Sequence, residues 1–378
     1  MIATAQTALT LGASRENAPA ASAARESAEW ESAASRKLAL LQRAGLFGDD
    51  TRGTTIERAY TLEDLRKAYR LVHHVYLGTG YLNPEPSGVR LRIYETTSET
   101  ATFIAKKDGE VVGVLSVVGD SADLGLPSNA AFKPELDALR ATGARLCEVT
   151  NQAVAEDFRK SAVPTELMRC AIAHQIRMGY HFAVASVSPS HNGFYDLLGF
   201  RPIGSQRSYS QKLHDPVVAL CLNIDHYRRP ADGLSPTQQF IHRLGTELNP
   251  FMTKVSEWSR QAVKHFLNPE LLEQLFVADR NFLGECTAGE LTILQRRWGQ
   301  ELFSAVTGTT YPPFAPAPAK GKSRSSADAS LSSAGHDRVA GAASALSSAD
   351  AVRRPAKPRR VRIETGLSLE RAAGMSFS

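Results

Sequence analysis

The stretch from His181 to Phe200 (HFAVASVSPSHNGFYDLLGF) constrains the fold more than any other part of this chain. Residues 181–187 are mostly apolar and are followed by a Ser-Pro turn signal, which predicts a buried strand. Residues 188–193 combine Ser, Pro, Asn and Gly, so they predict a break in regular structure. Residues 194–198 then predict a short helix, which Gly199 can end in the left-handed conformation. The stretch therefore predicts a strand that leads directly into a helix, as in α/β proteins.

Elements of the same kind surround this unit. An acid three residues after Thr61 predicts a capped helix start, and Asp108-Gly109 predicts a tight hairpin turn. The predicted order is strand, helix, hairpin, strand, helix, strand, short helix and further strands, which gives one mixed α/β (α+β) domain over residues 55–228. The predicted strands are 55–60, 101–106, 110–118, 145–154, 181–187, 201–209 and 216–224, and the main helices are 62–78 and 165–178.

The composition changes outside this domain. Residues 1–54 hold few large apolar side chains and are predicted to be mostly disordered, apart from a short amphipathic helix over 30–47 that could dock Leu38, Leu41 and Leu46 on the body. Residues 229–310 show helical periodicity and predict an extension of three or four short helices. Residues 311–378 are rich in Ala, Ser, Pro and basic residues, which predicts a disordered tail.

Several classes of protein are disfavoured by the sequence. The four cysteines lie far apart without a zinc-type spacing, so no metal is expected. No apolar run approaches the ~20 residues of a membrane span, and the start of the chain lacks a signal peptide pattern, so we expect a cytoplasmic protein that is not an integral membrane protein. The basic run 353–362 could contact nucleic acid, but a solubilising tail is the favoured interpretation, and no nucleic-acid partner is expected.

Glu148 is the first candidate for chemistry. It lies in the predicted strand 145–154, whose alternation places Glu148, Thr150 and Gln152 on one face and Asn151 on the other, unless a bulge intervenes. An acid in a central strand costs free energy unless it has a partner or a role. Two interpretations follow: Glu148 has a functional role, or it is a structural acid paired with an arginine such as Arg92.

Read in chain order, the strand with Glu148, a basic loop, a helix and the unit that carries Tyr195 resemble the fold of the GNAT acyltransferases. That resemblance implies a GNAT-like mixed sheet with flanking helices. In acetyl-CoA-using members, the loop contains glycines whose backbone N–H groups hold a pyrophosphate at the helix start. Here the loop from Arg159 to Pro164 (RKSAVP) has no glycine, and Pro164 has no N–H to donate. The sequence therefore favours a donor with a single phosphodiester, the phosphopantetheine of a carrier protein.

Three stretches, 68–81, 148–154 and 188–204, are similar to the N-acyl amino acid synthases of the FeeM type, which are related to the acyl-homoserine-lactone synthases. The resemblance covers about 55–227. It implies a bacterial acyltransferase that moves a long acyl chain from acyl carrier protein to the amine of an amino acid or a similar small amine. The acyl-phosphopantetheine thioester is then a substrate, and no tightly bound cofactor is expected.

The resemblance also implies roles for individual residues. Glu148 would be the base, and Tyr195 would hydrogen-bond or protonate the departing thiolate. The remaining candidates are the backbone N–H groups of Ala153 and Val154 for the oxyanion, Arg159 and Lys160 for the donor phosphate, and Asn151, Tyr81 and Arg92 for the acceptor. The lactone synthases carry arginines where this chain has Ser116 and Asn151, so a lactone product is not expected, and Arg90 or Arg92 would hold the acceptor's carboxylate.

Two alternatives remain at this point. One is an ordinary acyl-CoA-dependent acetyltransferase of the same fold, against which the missing loop glycines argue. The other is a non-catalytic sensor of acyl carrier protein or lipid, which the missing basic residues at positions 116 and 151 would suit.

Overall fold

An eight-stranded, mostly antiparallel sheet organises the residues that the computed structural model describes, which are 20–210, 213–266 and 268–308. The strand order is β1-β2-β3-β4-β5-β8-β6, with β7 paired to β8, and β4–β5 is the parallel pair. The strands are β1 (Thr55–Arg58), β2 (Thr100–Lys107), β3 (Glu110–Gly119), β4 (Leu146–Val154), β5 (Phe182–Val187), β6 (Arg201–Pro202), β7 (Arg207–Ser210) and β8 (Leu213–Asn223).

Helices flank both faces of this sheet, which confirms the predicted fold class. Thr61 caps the helix that follows β1 by accepting from the Asp64 amide at 3.2 Å. The helices are α1 (Ala20–Arg43), α2 (Leu62–Gly78), α3 (Asn129–Ala141), α4 (Val163–Met178), α5 (Asn192–Leu197), α6 (Pro236–Gly245), α7 (Phe251–Phe266), α8 (Pro269–Glu273), α9 (Phe282–Glu285), α10 (Ala288–Trp298) and α11 (Gln300–Thr307), with a π-helical segment Gln274–Ala278 and 3₁₀ turns at Ile93–Thr96, Glu156–Phe158, Pro189–His191 and Ile224–Arg228.

The predicted strand over 201–209 is instead two short strands, β6 and β7. The Ile203 amide still donates to the Ala219 oxygen at 3.0 Å, and pairing with β8 resumes at Arg207 opposite Val217, so the ladder is interrupted at residues 204–206, where Gly204 weakens the strand.

Each face of the sheet has its own hydrophobic core. One cluster joins α4 and α5 to the face that carries Phe103, Leu115 and Val149. The other joins α2 to the face that carries Ile104 and Val114. This alternation along β2 and β3 is the arrangement expected of strands covered on both sides.

The first described segment is an ordered part of this body. Helix α1 is longer than the predicted helix over 30–47, and Leu38, Leu41 and Leu46 are buried in the core on the α4 side. The disorder expected for 1–54 therefore does not extend to residues 20–54, because these apolar side chains have a surface to cover. Residues 1–19 lie outside the described residues, as does the predicted tail beyond residue 308.

The helices after β8 also share their cores with the sheet. Phe251 and Val255 of α7 pack in the α4-side cluster, whereas Phe276 and Phe303 pack in the α2-side cluster. The Trp298 indole N–H donates to the backbone oxygen of Thr96 at 2.9 Å. Six helices, rather than three or four, form this extension in the described part of the chain. No helix among the described residues is long and apolar enough to span a bilayer.

Strand β4 leaves its parallel neighbour after three residues. It pairs with β5 from Leu146 to Glu148, opposite Phe182 to Val184. Beyond this point β5 continues to pair with β8, while β4 continues along β3. The two central strands therefore separate, and a gap opens in the sheet between the second half of β4 and the end of β5.

Candidate active site

A bulge in β4 lies beside this gap. Thr150 pairs with Ser116 and Ala153 pairs with Val114, so Asn151 and Gln152 together oppose Leu115. Asn151 has a φ of 54°, a left-handed conformation that Asn tolerates better than most residues. Two residues opposite one is the arrangement of a β-bulge, which re-aims side chains locally.

The bulge changes which side chains share a face. The Asn151 amide donates to Glu95 Oε1 at 3.0 Å and to Ser116 Oγ at 3.3 Å, so it lies on the α2 side with Ser116. Gln152 instead accepts from Tyr195, which packs in the α4-side core. The bulge that the sequence left open is therefore present, and the alternation expected for β4 ends at Thr150, because the extra residue shifts the side-chain period by one.

Glu148 lies at the point where β4 and β5 separate. It is buried, and its Oε2 accepts from the Ser128 amide at 2.8 Å. Burial raises the pKa of this carboxyl to about 7, although hydrogen bonds from Ser128 and the charge of Arg92 oppose the shift. Glu148 has no ion pair among the described residues. A carboxylate that titrates near neutrality can accept a proton from an ammonium or amine.

Ser128 ties Glu148 to the other side of the gap. While its amide binds Glu148, its hydroxyl lies 2.6 Å from the hydroxyl of Ser186 on β5. Ser186 lies two residues beyond the last β5 residue that pairs with β4. The loop before α3 therefore bridges the two strands just where they part.

Arg92 pairs with Glu95 rather than with Glu148. Its Nη2 lies 2.6 Å from Glu95 Oε1, and its Nη1 donates to Thr150 Oγ1 at 3.4 Å. Burial raises the pKa of Glu95, but the Arg92 charge and hydrogen bonds from Arg92 and Asn151 outweigh it and hold this pKa below its usual value. Arg92 is therefore not the ion-pair partner that the structural interpretation of Glu148 requires.

Tyr195 lies across the gap from β4. Its hydroxyl donates to Gln152 Oε1 at 3.1 Å, and its ring meets Phe200 edge-on with 5.1 Å between centroids. Burial, with a smaller contribution from Tyr76, raises the pKa of this phenol well above its ordinary value. The phenol is therefore neutral at physiological pH and can donate a hydrogen bond.

Arg90 and two tyrosines of the α2 region complete the surroundings of Asn151. Arg90 donates to Asn151 Oδ1, and its guanidinium lies 5.0 Å from the centre of the Tyr76 ring. The Tyr81 ring meets Tyr76 edge-on at 6.1 Å. Predicted acceptor residues Asn151, Tyr81 and Arg92 thus lie on the α2 side of the bulge.

The two candidate oxyanion amides differ in direction. The Ala155 amide donates to the Val112 oxygen at 2.8 Å, so it faces β3. Successive amides alternate along a strand, so the amide of Val154 faces away from β3, toward the gap, and that of Ala153 faces β3. Arg159 donates from Nε to the Val154 oxygen at 3.0 Å, which brings this predicted donor-binding residue to the gap. Lys160 is exposed.

The first backbone amides of α4 are mostly engaged and do not provide a phosphate-binding site. The Ala162 amide donates to the Asp50 oxygen at 2.8 Å, and the Val163 amide donates to Ser161 Oγ at 3.2 Å. Pro164 has no amide hydrogen. Residues 45–52 cover this loop: the Phe47 amide donates to Thr165 Oγ1 at 3.2 Å. Sequence reasoning anticipated the missing glycines but not this covering segment.

Glu95, Gln152 and Ser128 were missed by sequence reasoning. Glu95 had one available signal, its position three residues after Arg92, which permits a pair within one turn. Gln152 and Ser128 had none, since their roles depend on the bulge and on a loop distant in sequence. Within the described residues, no group of three or more His, Cys, Asp or Glu side chains is placed to hold a metal.

A base that titrates near pH 7, a neutral phenol and a strand amide facing a split sheet are the groups that acyl transfer to an amine requires. Together with the mixed sheet and its flanking helices, they match the arrangement expected of an acyltransferase.

The comparison with protein families agrees with this class. The family described as N-acyl amino acid synthase FeeM matches residues 67–223, which span β2 to β8, the bulge and both candidate catalytic residues. The resemblance that the sequence predicted is thereby confirmed, and the chain is an N-acyltransferase over this region. No curated protein matches the chain.

Solved structures with a similar fold include FeeM, an N-acyl amino acid synthase from uncultured soil microbes, at 23% identity and a TM-score of 0.42 over 46% of this chain and 92% of that one. A CoA-dependent acyl-homoserine lactone synthase, BjaI, is 17% identical with a TM-score of 0.38 over 55% of this chain and 100% of that one. A putative N-acetyltransferase from Lactobacillus plantarum is 11% identical with a TM-score of 0.34 over 45% and 98%.

Proposed function

We propose that this protein transfers a long acyl chain from the phosphopantetheine of acyl carrier protein to the amine of an amino acid or a similar small amine. The observation that carries the proposal is the position of Glu148, a buried carboxyl with a pKa of about 7, where β4 and β5 separate. An α-amine titrates near ~8, so at neutral pH most of it is protonated and needs a base before it can attack.

We infer the following reaction from the positions of Glu148, Tyr195 and the Val154 amide. The thioester arm lies in the gap, with its carbonyl oxygen toward the Val154 amide. Glu148 accepts a proton from the acceptor ammonium, and the nitrogen then attacks the carbonyl carbon. As the tetrahedral intermediate collapses, the C–S bond breaks, and Tyr195 hydrogen-bonds the departing thiolate or passes a proton to it. The remaining extra proton of the nitrogen reaches the sulfur or restores the phenol, and the proton held by Glu148 returns to solvent, so the products are an amide and a free thiol.

The covered start of α4 supports the carrier protein as donor. A pyrophosphate is bound by several free amides at a helix start, whereas here the amides of Ala162 and Val163 are already satisfied within the protein. A single phosphodiester requires fewer donors, and Arg159 and the exposed Lys160 lie beside this loop to meet it.

On the acceptor side, we propose that Asn151, Tyr81 and the arginines on the α2 side of the bulge hold the amino acid. Arg90 is the arginine assigned to its carboxylate, because it contacts Asn151 and stacks on Tyr76.

The test is a comparison of two donors with one acyl chain. Purified protein is incubated with dodecanoyl acyl carrier protein or dodecanoyl-CoA and a mixture of amino acids, and thiol release and N-acyl products are measured. We expect kcat/KM to be at least about tenfold higher with the carrier protein, ~1.4 kcal/mol in transition-state stabilisation. Equal use of both donors would contradict the donor assignment, and no product from either would contradict the function.

A matched pair of tyrosine variants tests the leaving-group step. Tyr195→Phe should lower turnover by about tenfold or more, because the thiolate loses its hydrogen-bond donor. The deficit should shrink with a thioester of a more acidic thiol, which needs no proton. Tyr227→Phe is the control, because Tyr227 is equally buried and its hydroxyl donates to the Leu198 oxygen at 3.0 Å, away from β4.

A further inference from the structure

A cavity lies away from the candidate active site. Its volume is about 490 Å³, and it opens where the end of β1, the start of β4 and the last turns of α4 meet α7. Arg58, His174 and Tyr180 contribute its buried polar side chains, and none of the residues assigned to acyl transfer lines it.

Arg58 is a buried cation with no carboxylate partner among the described residues. Its side chain belongs to a residue that is 8% exposed, and its hydrogen bonds run to neutral groups, Ser259 Oγ at 3.1 Å and the Thr100 oxygen at 3.4 Å. Burial lowers the pKa of this guanidinium to about 10, so it still carries its charge at neutral pH. A buried charge without an opposite charge is costly, so the cavity favours an anion.

The two acids that line the cavity are already engaged. Glu99 lies 2.8 Å from Arg297, and Asp120 accepts from Arg140 at 2.7 and 2.8 Å. Each acid is therefore paired with an arginine other than Arg58, and these arginines also pair with Asp123 and Asp137. Arg58 itself remains a buried cation whose hydrogen bonds run to neutral groups.

His174 and Tyr180 add neutral polar groups beside Arg58. His174 Nδ1 is buried without a hydrogen-bond partner in the described part of the chain, and burial followed by the nearby charge of Arg58 lowers the pKa of this imidazole to about 3. The ring is therefore uncharged, and its centroid lies 6.5 Å from that of Tyr180. A neutral imidazole and a phenol can each donate one hydrogen bond. A buried polar atom without a partner requires an explanation, and a group that binds in the cavity beside it is one.

We propose that this cavity binds a small organic carboxylate, with its charged group on Arg58 and its apolar part against Met178, Ala144 and Leu146. The size of the cavity favours an organic ligand over an inorganic oxyanion, since cavities of ~300–1,000 Å³ hold drug-sized molecules. Arg58 supplies the fork geometry that matches a carboxylate, and His174 and Tyr180 supply additional donors. The proposal does not depend on the acyl-transfer reaction.

The test uses the full chain and three probes, hexanoate, 3-phenylpropanoate and inorganic phosphate, at constant ionic strength. Isothermal calorimetry and the thermal midpoint Tm are measured for each. We expect saturable binding of the two carboxylates with a rise in Tm, and at least tenfold weaker binding of phosphate. The Glu148→Gln variant should bind the carboxylates as the unchanged protein does, which separates this cavity from the acyl channel.

Arg58→Met is the decisive variant, and Arg145→Met is its matched control. Arg145 lines the same cavity but is exposed. Arg58→Met should weaken carboxylate binding at least tenfold and should raise Tm in the absence of ligand, because it removes an uncompensated buried charge. If the role of Arg58 were purely structural, Arg58→Met would instead lower Tm. The proposal would be overturned if the carboxylates showed no saturable binding, or if their binding were unchanged in Arg58→Met. Equal binding of phosphate would overturn the assignment of the ligand as an organic carboxylate.

Discussion

Glu148 owes its reactivity to burial rather than to an ion pair. Its carboxyl titrates at about 7 instead of 4.5, because the buried site disfavours the charged form more than Ser128 and Arg92 favour it. The same shift affects stability. The folded protein binds the proton more tightly than the unfolded chain, so Glu148 contributes stability at low pH that is lost as the pH rises toward 7, by roughly 3 kcal/mol in total.

The pH dependence of catalysis tests this carboxyl. We expect kcat/KM to rise with pH through a midpoint near 7, because the ionised form of Glu148 is the base. A second limb from the acceptor amine should lie near ~8 and should move when an amine of different pKa is used. Glu148→Gln should lower kcat/KM by about 10²–10⁴ and remove the limb near 7.

The result that would contradict the role of Glu148 is a limb near 7 that persists in Glu148→Gln. Thermal unfolding supplies an independent check: Glu148→Gln should remove part of the loss of stability between about pH 5 and pH 7 that the unchanged protein shows, because glutamine has no charge to bury.

At the scale of elements, the segment 45–52 and the start of α4 form one unit. Gly45 has a φ of 89°, and a Cβ there would lie 2.7 Å from the Lys160 oxygen. The Asp50 oxygen caps the Ala162 amide, and Phe47 packs on Phe194, next to Tyr195, at 5.8 Å between ring centroids. The segment therefore joins the donor loop to the helix that carries the phenol.

Two glycines provide a matched pair for this element. Gly53 also has a positive φ, 70°, but a Cβ there would meet only the flexible end of Lys107. Both changes to Ala impose a similar backbone penalty, about 1 kcal/mol, whereas Gly45→Ala adds a clash with fixed backbone. We expect Gly45→Ala to lower Tm more than Gly53→Ala and to speed hydrogen exchange at the Ala162 amide.

The same two variants also test the preference for the acyl donor. If the covering segment is what closes the helix start, Gly45→Ala should raise kcat/KM for acyl-CoA relative to acyl carrier protein, and Gly53→Ala should leave the ratio unchanged. Protection of the Ala162 amide that is equal in both variants would show that the segment does not cap this loop.

At the scale of the whole molecule, the helices after β8 support the acceptor side of the site. The 3₁₀ turn Ile93–Thr96 carries Glu95, the partner of Arg92 and Asn151, and Trp298 of α10 holds this turn through the Thr96 oxygen. Arg297 adds ion pairs to Asp123 and Glu99 at 2.6 and 2.8 Å. The helices after β8 are therefore joined to the sheet region by polar contacts as well as by the shared cores.

Shortening the chain tests this dependence. A chain that ends at residue 234 lacks Phe276 and Phe303, which cover the α2-side core. It should therefore lose its cooperative unfolding transition and bind a hydrophobic dye. A chain that ends at residue 308 keeps every described helix and should unfold cooperatively in urea. Cooperative unfolding with an unchanged midpoint in the shorter chain would show that the helices are dispensable.

The sequence by itself determined the order of the main elements from β1 to β5, the place of Glu148 in a central strand, the tyrosine of a short helix and the lost glycines of the donor loop. These are local features, because apolar periodicity, turn residues and missing amides act over a few neighbouring positions. The structure alone decided the bulge at Asn151, the choice of Glu95 by Arg92 and the covering of Ala162 by Asp50. Such partners come from segments distant along the chain, and which of them meet depends on how the whole sheet twists and packs.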